Sequence, residues 1–121
     1  MASPDIASLD LSQPLFFSRN RVWRCYLGGK LLDEMQGAAQ PKDGAFPEEW
    51  LASVTVATNG ANQQFPEEGL SCIRLDGGKP GPFLKAVVEQ RREECLGQDS
   101  NGLNVLCKFL DSSIRLPFQC H

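Results

Sequence analysis

A single histidine, His121, is the whole imidazole content of this 121-residue chain. Any centre that needs two imidazoles would have to draw the second from elsewhere. There is no basic cluster: net charge is −3, and the one compact charge run, Arg91-Arg92-Glu93-Glu94, cancels itself. Nucleic acid and acidic membrane surfaces are therefore not expected partners. No apolar run reaches the ~18 residues that a membrane-spanning helix requires. The opening Met-Ala-Ser-Pro-Asp-Ile lacks the basic and apolar regions of a secretory leader, which points to a cytoplasmic protein. Five cysteines are present, an odd number, with no pair at C-x-x-C spacing. Each sits in an apolar segment, so they are expected to be reduced thiols buried as small hydrophobes. Internal repeats and low-complexity tracts are also missing.

What is present is ordinary for a globular domain: 41% apolar and 22% charged residues, in a length that suits one small core. Residues 1–13 lack clear periodicity and read as a flexible lead. Leu15 to Tyr26 suggests two short strands around the polar Ser18-Arg19-Asn20 break, and Gly28-Gly29 marks a loop. Leu31 to Met35 fits one helical turn ended by Gly37. Trp50 to Thr58, rich in β-branched residues, reads as a strand. Asn59 to Gly69 is a polar loop, Leu70 to Ile73 a short apolar piece, and Asp76-Gly77-Gly78 a turn. Pro82 to Leu96 reads as a helix, with Pro82 in its first turn and Gly97 just past its end. Phe83, Leu84, Val87, Val88 and Cys95 share one side of it.

The last residues, from Leu106 to His121, read as strand, tight turn, strand. Alternation puts Gln119 and His121 on one face of the second strand and the apolar set Ile114, Leu116, Phe118 and Cys120 on the other. One face thus offers an amide oxygen and an imidazole to a common point, with apolar residues behind. Neutral histidine is a good zinc ligand, and a Gln carbonyl is a harder, weaker one that leaves the metal Lewis-acidic. Lys108 lies in the otherwise apolar strand before the turn. It reads either as a solvent-facing residue or as a cation near a sugar hydroxyl or phosphate. Glu48 and Trp50 share a face by alternation, either as an edge carboxylate beside a packed indole or as the wall of a pocket. Glu49 is expected to point the other way, into solvent.

The hairpin Leu106-Cys-Lys108-Phe-Leu-Asp-Ser-Ser-Ile-Arg-Leu-Pro-Phe-Gln119-Cys-His121 resembles the zinc-ligand hairpin of the class I mannose-6-phosphate isomerases. Two upstream blocks agree in order. Phe46-Pro-Glu48-Glu-Trp50 is similar to that family's aromatic-x-Glu-x-Trp segment, and Tyr26-Leu-Gly28-Gly29-Lys30 to its Trp-Gly-Gly segment. The resemblance spans residues 20–121. It departs from the family at Leu27, where Trp is common, and at Pro117, where Ser is usual; proline also removes a ladder donor.

The resemblance implies a mainly β fold with inserted helices, part of a cupin-type antiparallel jelly-roll sandwich spanning residues 14–121 after the flexible lead 1–13. It implies the N-terminal segment of a zinc-dependent aldose–ketose isomerase interconverting mannose 6-phosphate and fructose 6-phosphate, inactive as this segment alone. Gln119 and His121 would be metal ligands, and Lys108, Glu48 and Trp50 would line the substrate pocket. The family's other ligands, a Glu and a second His, lie further along the chain, and no catalytic base is assigned here. A small phosphosugar is the expected partner, and self-association is expected through an exposed sheet edge. The alternative is a non-catalytic sugar-binding or regulatory cupin-like protein.

Overall fold

The computed structural model describes residues 4–120. Two small antiparallel sheets of three strands each form the frame, with short helices packed around them. Helix α1 is Pro4–Ser8, in the lead segment, and seats Ile6 in the core. Strands β1 (Phe16–Phe17) and β2 (Arg21–Val22) follow, and the polar break between them is where the chain passes from one sheet to the other. Helix α2 is Lys30–Met35 and β3 is Glu48–Leu51. Then come β4 (Cys72–Arg74), β5 (Pro80–Phe83), α3 (Leu84–Gln90), α4 (Arg92–Leu96) and β6 (Cys107–Leu110). The first sheet runs β1-β4-β5 and the second β2-β3-β6. The fold is thus β-rich with few helices, and among the described residues no helix is long and apolar enough to cross a membrane.

The larger apolar cluster joins Ile6, Ile73, Leu84, Val87 and Val88, so α1 and α3 close over the first sheet. The second cluster is only Val22, Trp50 and Ala57. Around it lie polar side chains that are also buried: Asn20, Glu48, Glu49, Ser53, Glu68 and Ser71. Asn20 bridges the two regions, its Nδ2 donating to the carbonyls of Trp50 (3.1 Å) and Gly69 (2.9 Å).

Several sequence expectations are corrected. The strand expected over Trp50 to Thr58 stops at Leu51, because Ala52 takes a left-handed conformation (φ 46°) that breaks the ladder. Ser53 then exchanges bonds with Ser71 instead. The helix expected from Pro82 begins only at Leu84, since the preceding residues pair with β4 and the Leu84 N–H reaches Ser71 O at 2.9 Å. It also breaks at Arg91 (φ −125°, ψ 43°), whose guanidinium turns back to the carbonyls of Ile6 and Leu9. The terminal hairpin does not form among the described residues. β6 pairs with β3, from Glu48↔Leu110 to Leu51↔Cys107, and no strand is present over residues 114–120. Ile114, Leu116 and Phe118, expected to be buried, are exposed. Cys25, Cys107 and Cys120 are exposed rather than buried, and all five cysteines are free thiols.

The turn after β6 docks on the Gly28-Gly29 loop. Gly28 bridges Gly44 on one side and Ser112 on the other, and Gly29 N–H donates to Asp111 O at 3.0 Å. The Asp111 carboxylate accepts from the N–H groups of Gly29 (3.1 Å) and Leu31 (2.8 Å), capping the first turn of α2 from eighty residues away. A Cβ on Gly28 would sit 1.8 Å from Asp111 O, so only glycine fits. Gly28→Ala is expected to cost about 3 kcal/mol by forcing the two segments apart. Gly44→Ala, where an added Cβ meets nothing, is expected to stay within about 0.5 kcal/mol. Urea unfolding of the two variants checks the difference; equal stabilities would mean that the docking is not as described.

Candidate functional site

Pairing in the second sheet sorts its side chains onto two faces. Directly opposed residues share a face, so Val22, Glu48, Trp50, Lys108 and Leu110 lie together, and Arg21, Glu49, Leu51, Cys107 and Phe109 lie on the other side.

On the first face, Glu48 is 3% exposed and collects four donors. Its Oε1 accepts from the Tyr26 hydroxyl at 2.5 Å. Its Oε2 accepts from Trp50 Nε1 (2.8 Å), Lys108 Nζ (3.1 Å) and Arg24 Nε (3.2 Å). Burial alone would raise this carboxyl, but the bonds from Tyr26, Trp50 and Lys108 and the charge of Arg24 outweigh it and hold it below its ordinary value of 4.5. The Tyr26 hydroxyl is pushed up by burial and by the carboxylate beside it, so it stays a neutral donor. Arg24 also lies over the Trp50 ring, 5.2 Å from its centroid, and donates to Asn59 Oδ1 at 3.2 Å. One carboxylate faces two cations, which leaves the cluster with a surplus positive charge. Both cations keep contact with water: the side chains of Arg24 and Lys108 are 25% and 35% exposed.

On the second face, Glu49 is also buried, contrary to the solvated position expected of it. Its Oε1 accepts from the Asn20 N–H at 2.7 Å, and its Oε2 lies 3.3 Å from Arg21 Nε. Arg21 in turn reaches Asp33 on α2 at 2.8 Å and the Phe46 carbonyl at 2.8 Å, tying that helix to the sheet. Glu68 is a third buried carboxylate, held by the N–H groups of Trp23 and Gln64, and it closes the polar loop against the end of β2.

Of the sequence-nominated residues, Glu48, Trp50 and Lys108 converge. Trp50 is 3% exposed and lies under Arg24, so a ligand at this face would meet the guanidinium and the Lys108 ammonium rather than the indole. Gln119 is exposed, in the stretch without strand pairing, and His121 lies outside the described residues. Among the described residues, no group of three or more His, Cys, Asp or Glu side chains could hold a metal ion. Arg24 and Tyr26 were missed as members of the cluster. Half of the signal was there: Val22, Arg24 and Tyr26 repeat every two residues, but the pairing of Val22 with Glu48 shows only in the structure.

No family model, no curated protein and no solved structure matches this chain.

Glu48→Gln keeps the shape but replaces one acceptor oxygen with a donor and removes the charge opposite two cations. It is expected to destabilise the fold by about 3 kcal/mol. Because the folded carboxyl titrates below 4.5, its contribution is present above that pH and is lost as pH falls through the lower folded value. Urea midpoints measured between neutral and acid pH check this. The wild type should lose stability over the acid window, and Glu48→Gln should lose less. Parallel curves would show that Glu48 does not carry the acid sensitivity.

Proposed function

We propose that this chain forms the N-terminal portion of a zinc-dependent, cupin-type aldose–ketose isomerase that interconverts mannose 6-phosphate and fructose 6-phosphate. The observation that carries the reading is the ion pair between Lys108 and Glu48 beside Trp50. Three residues that the hairpin and Glu-x-Trp resemblances nominate separately meet on one sheet face, with a surplus positive charge suited to an anionic sugar. In this reading, Glu48 fixes the Lys108 ammonium in place, and Lys108 and Arg24 meet the hydroxyls or phosphate of the substrate.

In this reading Gln119 would supply an oxygen donor and His121 a nitrogen donor, both of kinds zinc accepts, with the remaining ligands supplied from elsewhere. When bound, zinc would polarise the sugar oxygen and stabilise negative charge on it. The chain's own residues would bind and orient the sugar, and the proton-transferring base is not assigned. A second reading, a non-catalytic sugar-binding protein, is favoured by the saturation of Glu48: a carboxylate with four donors is a scaffold rather than a base. The outer edge of β6, whose four residues are all exposed, would serve self-association in either case.

The test is an isomerase assay on the longest polypeptide the gene encodes. His121→Ala is expected to abolish turnover and zinc content together, and Cys120→Ala to leave activity largely intact. Lys108→Ala should raise KM for mannose 6-phosphate at least about tenfold, the cost of one charge-assisted contact. Full activity in His121→Ala would remove the zinc-site assignment. Saturable binding of mannose 6-phosphate that is weakened in Lys108→Ala, with no turnover, would select the second reading. The 121-residue chain alone is expected to lose zinc on dialysis.

A further inference from the structure

On the Glu49 side of β3, away from Lys108, an open cleft of about 480 Å³ runs between the two sheets and the end of α2. Ser18, Arg19, Gln36, Leu51, Ala52 and Arg74 line it, as does Glu49, whose carboxylate is engaged by the Asn20 N–H and Arg21. Its charge balance is unusual for this acidic chain. Arg19, Arg21 and Arg74 bring three positive charges to the region, against Asp33 and Glu49. The Asp33 carboxylate oxygen Oδ1 is shared at 2.8 Å by Arg19 and Arg21, and Arg21 also lies 3.3 Å from Glu49, so three arginines face two carboxylates and one positive charge is left over. The Arg19 side chain is 51% exposed, and Arg74 is exposed and makes no ion pair among the described residues. The cleft also offers the hydroxyl of Ser18 and the amide of Gln36 as neutral partners.

The apolar wall is supplied by Leu51 and Ala52. Ala52 is the one described non-glycine residue with positive φ, at 46°. A left-handed alanine is held at a cost of about 1–2 kcal/mol, and such strain concentrates at binding sites. Two guanidinium groups on separate segments suit an anion that presents oxygens in more than one plane. A planar carboxylate would be satisfied by a single arginine fork.

We propose that this cleft binds a small organic phosphate, with its phosphate group between Arg19 and Arg74 and its carbon body against Leu51 and Ala52. The site is separate from the Lys108 cluster and stands whether or not the isomerase reading does. The test is a titration of the 121-residue chain with inorganic phosphate and with glycerol 3-phosphate, followed by amide NMR shifts. Saturable shifts at Ser18, Gln36 and Ala52 are expected, with glycerol 3-phosphate the tighter ligand. Arg74→Gln, an exposed change outside both apolar clusters, should weaken binding about tenfold, the worth of one charge-assisted contact. Lys85→Gln, an exposed change on α3 outside the cleft's lining, should leave the affinity unchanged. Shifts that never saturate, equal affinity of Arg74→Gln and wild type, or loss of binding in Lys85→Gln would each overturn the proposal. Equal affinity for the two ligands would overturn the part that places the carbon body on Leu51 and Ala52.

Discussion

The constraint on which the second sheet depends is that its central strand carries two consecutive buried carboxylates. Glu48 and Glu49 are 3% and 5% exposed, and alternation sends them to opposite faces of β3. A buried carboxylate without partners would cost many kcal/mol or give up its charge. Each therefore organises the segments around it. Glu48 draws in Arg24, Tyr26, Trp50 and Lys108, which fastens the chain beyond β2 and the edge strand β6 to β3. Glu49 draws in Asn20 and Arg21, and through Arg21 it fastens α2 by way of Asp33. The apolar cluster at this sheet is only three residues, so polar bonding sets the geometry to an unusual degree.

This division of labour has a mechanical consequence. The first sheet, covered by α1 and α3, is held by side-chain packing, which is non-directional and tolerates small shifts. The second is held by directional, charge-assisted bonds to fixed atoms, which tolerate little. A charged group whose position has to be fixed is better placed on the second kind of support. Lys108 leaves β6 directly opposite Trp50, and its ammonium is fixed by the same oxygen that accepts from the indole. Its flexible stem would otherwise leave the ammonium free to sample several positions.

Much of this was legible in the sequence where pattern and chemistry agree. The Ser18-Arg19-Asn20 break between two short strands and the turn of helix over Leu31 to Met35 stand where the residues place them, and the strand expected from Leu103 to Leu110 forms over its second half, Cys107–Leu110. The shared face of Glu48 and Trp50 follows from alternation alone. What could not be read were interactions set by the tertiary partner. Glu49 looks solvated until Arg21 is opposite it. The strand run from Trp50 fails at Ala52, a residue with no local reason to turn left-handed. Ile114 to Cys120 has the alternation of a strand, but a strand needs a paired neighbour to exist. Here β6 pairs with β3 on one edge and its other edge has no partner among the described residues, because the turn after it is held by Gly28 and residues 114–120 do not fold back along it.

The Gly28-Gly29 block shows how a motif can carry a structural meaning that its sequence resemblance does not state. Gly28 is hemmed in by Asp111 O, and Gly29 by Phe46 O on the other side. The pair lets three distant segments cross at backbone distance: the loop before α2, the approach to β3, and the turn after β6. That crossing delivers the Asp111 carboxylate to the start of α2 and β6 to its register on β3. Register then decides everything on the site face, because a slip of one residue would turn Lys108 away from Glu48 and bring Phe109 against a buried charge. The two glycines therefore govern the electrostatics of a cluster none of whose polar bonds they make.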